Sequence, residues 1–242
     1  MRVAALYDVH AMPWALEAVL ADVDADALVV GGDFVYGPCP RETVAIVRSL
    51  EASVLRGNCE REAPTNDWDR SHLSADDLAW ISSLPLTAVV DEVLYCHATP
   101  TSDLPATTAL TPEAEVRRSF AGARGTVVIG HTHHQFDRTV GDLRVVNAGS
   151  VGMPYEDDVA AFWTLVADGE PSFRRTPIDV ERAIAGIRAS GWPGGEELIA
   201  ENLLVAPSRN DAIRQFEMSR RLDGGDEGAQ VPASPAPERE RR

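Results

Sequence analysis

Two histidines two positions apart, His131 and His133, end the run Thr126-Val-Val-Ile-Gly-His-Thr-His-His134, and their type and spacing suit metal chemistry. A β-branched apolar run of strand length breaks at Gly130 and then presents both rings. If the backbone stays extended past the glycine, residues i and i+2 point to one side, so both imidazoles reach one object while His134 points away. A neutral imidazole offers a ring-nitrogen lone pair at pH 7, so a shared metal ion is the chemical reading. The alternative is a His-rich turn packed on an aromatic group, and the rest of the chain has to decide.

The same design recurs upstream, where apolar runs of strand length end in polar residues able to bind metal. Val3 to Tyr7 ends in Asp8-Val9-His10, Ala27 to Val30 in Gly31-Gly32-Asp33, Ser53 to Arg56 in Gly57-Asn58, and Val93 to Cys96 in His97. Helical periodicity fills the gaps at Pro13 to Val23 and Arg41 to Leu50, giving β-α-β-α-β. Asp8, Asp33 and Asn58 are spaced by 25 residues each, about one strand-helix unit. A parallel sheet of such units gathers its strand ends on one edge, where open α/β folds bind ligands. Extended backbone would also put His10 on the same face as Asp8.

The elements that must position these residues follow in order. Glu60 to His72 is charged and reads as irregular. Ser74 caps a helix over 75–84, and Leu86 to Val90 with Val93 to Cys96 reads as a hairpin. Thr111-Pro112-Glu113 opens a helix ending near Gly122, with Thr111 as its cap. Further hairpins are expected around Gly141-Asp142 and Asp168-Gly169, and the glycines of Asn147-Ala-Gly-Ser-Val-Gly152 suit a close backbone approach near the same edge. Residues 180–187, 196–204 and 210–222 read as helices that pack on the domain or serve as an oligomer surface. Residues 223–242, rich in Gly, Pro, Ala and charge, are expected to be disordered. His72 and His134 read as solvated or locally bonded, and Cys39 and Cys96 as small core residues.

Composition limits the function. With 242 residues and 44% hydrophobic content the chain can fill a large core. All 22 basic residues are Arg, and the net charge is −16. That charge opposes nucleic acid and anionic membranes, and it leaves bound cations as the means of attracting an anionic substrate. No apolar run is long enough to cross a bilayer, so a cytoplasmic protein is expected. Three cysteines without Cys-x-x-Cys spacing argue against a disulfide framework.

Asp8, His10, Asp33, Asn58, His97, His131 and His133 are too many nitrogens and oxygens for one tetrahedral zinc, and two divalent ions fit. A metal pair sharing a carboxylate generates hydroxide at neutral pH, which can attack phosphorus in line. Asp8-x-His10, Gly32-Asp33, Gly57-Asn58, His97 and Gly130-His131-x-His133 resemble, in order and roughly in spacing, the motifs of the calcineurin-like metallophosphoesterases. Gly-Asp-x-Val-Tyr-Gly-Pro at 32–38, Gly-Asn-Cys at 57–59 and Asn-x-Gly-Ser-Val-Gly at 147–152 look most like the small prokaryotic phosphodiesterase branch, over about residues 1–167.

The resemblance implies an α/β (α+β) four-layer fold, with two packed mixed β-sheets flanked by helices. Its catalytic domain would span 1–177, followed by a C-terminal helical extension over 178–222 packed on it. By the same resemblance Asp8, His10 and His133 would bind one metal and Asn58, His97 and His131 a second, with Asp33 bridging. Manganese is the expected ion, with iron, zinc, nickel or cobalt as alternatives. The implied activity is a phosphodiesterase or pyrophosphohydrolase acting on small phosphorylated, nucleotide-like molecules. The alternatives are a phosphomonoesterase or protein phosphatase, or a catalytically silent scaffold that binds a protein partner. Two positions depart from the commonest family pattern. Cys59 stands where many relatives carry the His that protonates the leaving group, and Ala11-Met12 replaces Gly-Asn.

Overall fold

A computed structural model of the chain describes residues 1–222; the segment 223–242, expected to be disordered, lies outside the described residues. The chain opens as β1 Arg2–Leu6, α1 Pro13–Asp22, β2 Ala27–Val30, α2 Pro40–Ser49 and β3 Ala52–Val54. The stretch after Glu60 is more regular than its lack of apolar periodicity suggests, with α3 Asn58–Glu62 and α4 Asp67–His72. Local caps produce α4: the Asn66 side chain accepts a hydrogen bond from the Asp69 amide at 3.0 Å. α5 Ala75–Ser82 carries the expected Ser74 cap, closed reciprocally by Asp77.

β4 Thr87–Val90 and β5 Val93–Cys96 form the hairpin, and α6 Glu113–Ser119 follows. Thr111 does not cap α6. Pro112 takes the cap position, and the Thr111 hydroxyl donates instead to Glu217 at 2.9 Å, a tertiary demand overriding a local one. β6 Gly125–Ile129, β7 Phe136–Val140, β8 Leu143–Asn147, β9 Ala161–Ala167 and β10 Glu170–Thr176 complete the strands.

These strands form two mixed five-stranded sheets, ordered β10-β9-β1-β2-β3 and β4-β5-β6-β8-β7. β1, β2 and β3 run parallel, as do β5, β6 and β8. Val3, Ala5, Tyr7 and Val29 of the first sheet pack on Tyr95, Val128 and Val146 of the second, so the sheets lie face to face. The Tyr7 hydroxyl crosses that dry layer to donate to the Val128 carbonyl at 3.0 Å. A second cluster, with Leu6, Leu16, Val19, Val44 and Val47, covers the outer face of the first sheet with helices, and Val116 and Phe120 do the same for the second. Each fully buried aliphatic side chain contributes about 1.5–3 kcal/mol, and the two stacked sheets thereby hold one polar edge in register.

Beyond β10, α7 Val180–Ser190 buries Ala183 and Ile187 in the same cluster as α1. Gly186 lets the Trp14 ring approach, since a Cβ there would lie 1.9 Å from Trp14 Cζ2. The helix expected over 196–204 is split into α8 Gly195–Leu198 and a π-helical turn Ile199–Leu203. α9 Arg209–Leu222 closes the described chain. Among the described residues no helix is long and apolar enough to cross a membrane.

Candidate metal centre

The loops at the polar edge are not extended. Asp8 (φ 53°), His10 (φ 47°), Asp33 (φ 52°), His131 (φ 68°) and His133 (φ 56°) all adopt the left-handed region. L-residues rarely do so, and such strain persists only where the surroundings impose it. The two-residue alternation expected of both Asp8-x-His10 and His131-x-His133 therefore does not operate. Each ladder ends before its first candidate ligand, and other bonds take over. The His10 amide donates to the Asp33 carbonyl at 2.8 Å, lacing the first loop to the second, and the Thr132 amide donates to Gly130 at 2.8 Å, making His131 the centre of a γ-turn.

As a result His131 and His133 face different partners. His133 Nε2 lies 3.0 Å from His10 Nε2 and 3.5 Å from Asp8 Oδ1. His131 Nδ1 lies 3.2 Å from His97 Nε2, which is itself 3.2 Å from Asn58 Oδ1 and 3.4 Å from Asp33 Oδ2. Asp8, His10 and His133 thus form one set whose donor atoms all lie within 4.8 Å of one another; Asp33, His97 and His131 form another. Asp33 also groups with His10 and Cys59. All seven sequence-derived candidates come together, and each is buried.

The arrangement brings ring nitrogens and carboxylate oxygens together. His97 Nδ1 and His133 Nδ1 face the carbonyls of Gly31 (3.0 Å) and Met153 (2.7 Å), which only accept, so those nitrogens carry the hydrogen. Their Nε2 atoms then turn lone pairs inward, the orientation typical of ligating imidazoles. Asp8 Oδ1, His10 Nδ1 and His131 Nε2 are buried without a partner. The Asn58 side-chain amide faces Asp33 Oδ2, His97 Nε2 and His131 Nδ1; with its nitrogen inward it donates to them, and with its oxygen inward it is an acceptor that a cation would satisfy. Cations would satisfy the unpartnered atoms of this cluster, and nitrogen and oxygen donors of this kind suit first-row divalent metals.

Electrostatics keep two of the imidazoles neutral. Burial alone would raise the Asp33 carboxyl, but His97, His10 and His131 hold it below the usual carboxylate range. Burial and the neighbouring His133 push His10 down to about 4, and burial and His97 push His131 down to about 4. Both are neutral and free to ligate. His97 is the exception: burial opposes its charge, yet Asp33, Asp8 and Glu60 outweigh it and push that imidazole up to about 10, so without a cation beside it Nε2 carries a proton toward Asp33, which a metal ligated there would have to displace.

Several residues that matter were not legible as site residues. Glu60 is fully buried and accepts from the amides of Asp33 (2.6 Å), Phe34 (2.8 Å), Val35 (3.2 Å) and Gly57 (2.8 Å). Burial and Asp33 raise its carboxyl to about 7, while the Gly57 and Asp33 amides pull it back. The available signal was its place three residues after Gly57, where a capping glutamate reaches back. The Asn147 amide donates to the Gly130 carbonyl at 2.6 Å and to Thr132 Oγ1 at 3.0 Å, fixing the histidine turn. Asp8 Oδ2 accepts from the His131 amide at 2.9 Å, which leaves Oδ1 free. Tyr155 stacks on His133 with ring centroids 5.1 Å apart.

The expected close approach at 147–152 holds: a Cβ on Gly152 would sit 1.9 Å from the Val9 carbonyl oxygen. His134 is buried and bonded locally to the Thr132 carbonyl at 2.8 Å, so it is not solvated. His72 Nδ1 lies 2.8 Å from the Trp68 carbonyl.

Two mixed five-stranded sheets flanked by helices are the expected metallophosphoesterase fold. Residues 1–169 match the calcineurin-like phosphoesterase superfamily domain, and the chain belongs to that superfamily of hydrolases. A metallophosphoesterase from Sphaerobacter thermophilus is similar, with a TM-score of 0.72 and 24% identity over 85% of this chain and 99% of its own. A hypothetical protein from Pyrococcus horikoshii is similar with a TM-score of 0.64 and 16% identity, over 82% and 97%. Both likenesses extend past the family segment into the C-terminal helices. No curated protein matches the sequence.

Proposed function

We propose that the chain is a dinuclear metal-dependent phosphodiesterase or pyrophosphohydrolase acting on small nucleotide-like phosphates in the cytoplasm. Asp8, His10 and His133 would hold one divalent ion and Asn58, His97 and His131 the other, with Asp33 between them. Manganese is the expected ion. The observation that carries the reading is the pair of ring-nitrogen to ring-nitrogen contacts at 3.0 and 3.2 Å between buried imidazoles, beside three buried unpartnered atoms. Bound there, two divalent ions would supply Lewis acidity and a nucleophile at neutral pH.

The chain's own residues set the rest. Asp8 and Asp33 supply the negative charge that retains cations, and Gly31 and Met153 fix two of the rings. Cys59 donates its backbone amide to Asp33 Oδ1 at 2.8 Å, locking that carboxylate. Burial and Asp33 push the Cys59 thiol up, which makes it a weak proton donor. Substrates whose leaving group departs with little protonation, aryl or nucleotidyl rather than alkyl, are therefore favoured. Three free cysteines and a net charge of −16 support a reducing compartment and a small soluble substrate over nucleic acid.

The test is hydrolysis of aryl and alkyl phosphodiesters by the manganese-loaded protein and by Asp33→Asn. Activity on the aryl ester, lost in the variant, supports the reading. No hydrolysis by the wild type would favour a silent scaffold, and equal rates on both esters would remove the role given to Cys59.

A further inference from the structure

One candidate ligand, His133, is held by more than hydrogen bonds. Its ring lies between His10, at 4.7 Å between centroids, and Tyr155, at 5.1 Å with the planes 17° apart. The segment that carries Tyr155 grips the same histidine at two further points. The His133 Nδ1 hydrogen goes to the Met153 carbonyl at 2.7 Å, and the Tyr155 amide donates to the His133 carbonyl at 2.9 Å. The bond to Met153 fixes the tautomer but leaves the ring free to swing about the Nδ1···O line. A surface laid against the ring removes that freedom, and Tyr155 provides it.

Tyr155 is in turn backed by α9. The Phe216 ring lies 6.3 Å from it, tilted by 53°. Ala212, Ile213 and Phe216 are buried at helical spacing, so this face of α9 points inward. Among the described residues, neither Tyr155 nor Phe216 belongs to the three apolar clusters that fill and flank the sheets, so those cores do not account for the contact. The start of α9 is tied to the residues next to Tyr155. The Arg209 amide donates to Asp157 Oδ1 at 3.1 Å, the Asp157 amide to the Pro207 carbonyl at 3.0 Å, and the Arg209 guanidinium to Glu156 at 3.1 Å. Further along, Glu217 anchors the same helix to Thr108 and Thr111 at 2.7 and 2.9 Å. The second set of ligands is held differently: His97 by the Gly31 carbonyl at 3.0 Å, Asn58 by its place at the start of α3, and the His131 amide by Asp8 at 2.9 Å.

We propose that α9 controls the first metal position: Phe216 backs Tyr155, and Tyr155 holds the His133 imidazole in the orientation that ligates. Tyr155 and Phe216 are then positioning residues, and undocking α9 empties the first position while the second keeps its ion. The proposal rests on the two-metal reading and adds a condition to it, since the bridged pair forms only on a chain whose C-terminal helix is docked. It gives Phe216, which lies beyond the matched family segment 1–169, a share in the centre.

The experiment is calorimetric titration of the metal-free full chain with manganese(II), followed by electron paramagnetic resonance, which separates an exchange-coupled pair from a lone ion. The wild type should bind two ions and show the coupled signal. Tyr155→Ala and Phe216→Ala should each weaken one ion about tenfold or more, replacing the coupled signal with that of a lone ion, and leave the other within about twofold. Tyr155→Phe should match the wild type. In a His133→Ala background, which has already lost the first position, Tyr155→Ala should change nothing further. Ile187→Ala, which loosens the helical cluster to which the stack does not belong, should keep both ions, and melting temperatures verify that the variants fold. Two ions bound equally well in every variant, both weakened in step, or an equal loss in Ile187→Ala overturns control by α9 and leaves the two-metal reading standing. A single ion in the wild type, weakened alike by Tyr155→Ala and His133→Ala, overturns the two-metal reading and leaves the positioning role. No bound ion overturns both.

Discussion

The two groups of loops that carry the candidate ligands are braced in opposite ways. The loops after β2 and β3, with Asp33 and Asn58, are tied together by one buried carboxylate, Glu60, which accepts from four backbone amides within residues 33–57. The turn after β6, with His131 and His133, is braced from far along the chain. Asn147 fixes its carbonyl side, Glu156 accepts from the Gln135 amide, and Arg209 of α9 donates to the Gln135 carbonyl while pairing with Glu156 at 3.1 Å. One half of the site is therefore organised by a residue in the same motif, and the other depends on the C-terminal helices being docked. Both halves must close for the two poles to exist.

Breaking the local brace should do the most damage. Glu60→Ala leaves four amides buried without an acceptor, and it should lower stability by about 3–5 kcal/mol in chemical denaturation, with hydrolysis reduced at least as much as by any single change in the other brace. Removing the metals should loosen both halves at once. Chelation is expected to lower the melting temperature by on the order of 10 °C, restored by manganese, because ions that bind only the folded site stabilise it by mass action. An unchanged melting temperature would mean the halves close without them.

A weaker brace of the first group is Asp69, buried and accepting from the Tyr36 amide at 3.4 Å. Burial raises its carboxyl from 3.8 to about 6, so the native state holds the proton more tightly than the unfolded one. Its stability contribution is then intact below about pH 4, is lost as pH rises through 4 to 6, and stays lost above. Asp69→Asn should flatten that window, gaining about 1–3 kcal/mol relative to wild type between pH 4 and 7.5 by urea titration. An equal difference at both pH values would contradict it. The smallest effect is expected at Arg209, whose side chain is 37% exposed. Arg209→Ala should cost about 1 kcal/mol and slow hydrolysis about tenfold without abolishing it.

The same contrast explains what was legible in the sequence. Strand ends at Asp8, Asp33, Asn58 and His97 could be read because an apolar run followed by a polar residue places the latter at a sheet edge whatever the tertiary details. The membership of the set was readable for the same reason. Its internal geometry was not: the expected alternation at His131 and His133 gave way to a γ-turn imposed by Asn147 and Asp8, partners distant in sequence. Glu60 looked like one charge in an irregular stretch because its four acceptor contacts are made to backbone, which leaves no side-chain pattern. The cap expected at Thr111 was lost to Glu217, 106 positions away.

The central claim is that two cations share this edge with Asp33 between them. Anomalous diffraction from a manganese-soaked crystal measures it directly. Two peaks about 3.5–4 Å apart, one beside Asp8, His10 and His133 and one beside Asn58, His97 and His131, are the predicted result. A single peak, or none within reach of Asp33, would contradict it.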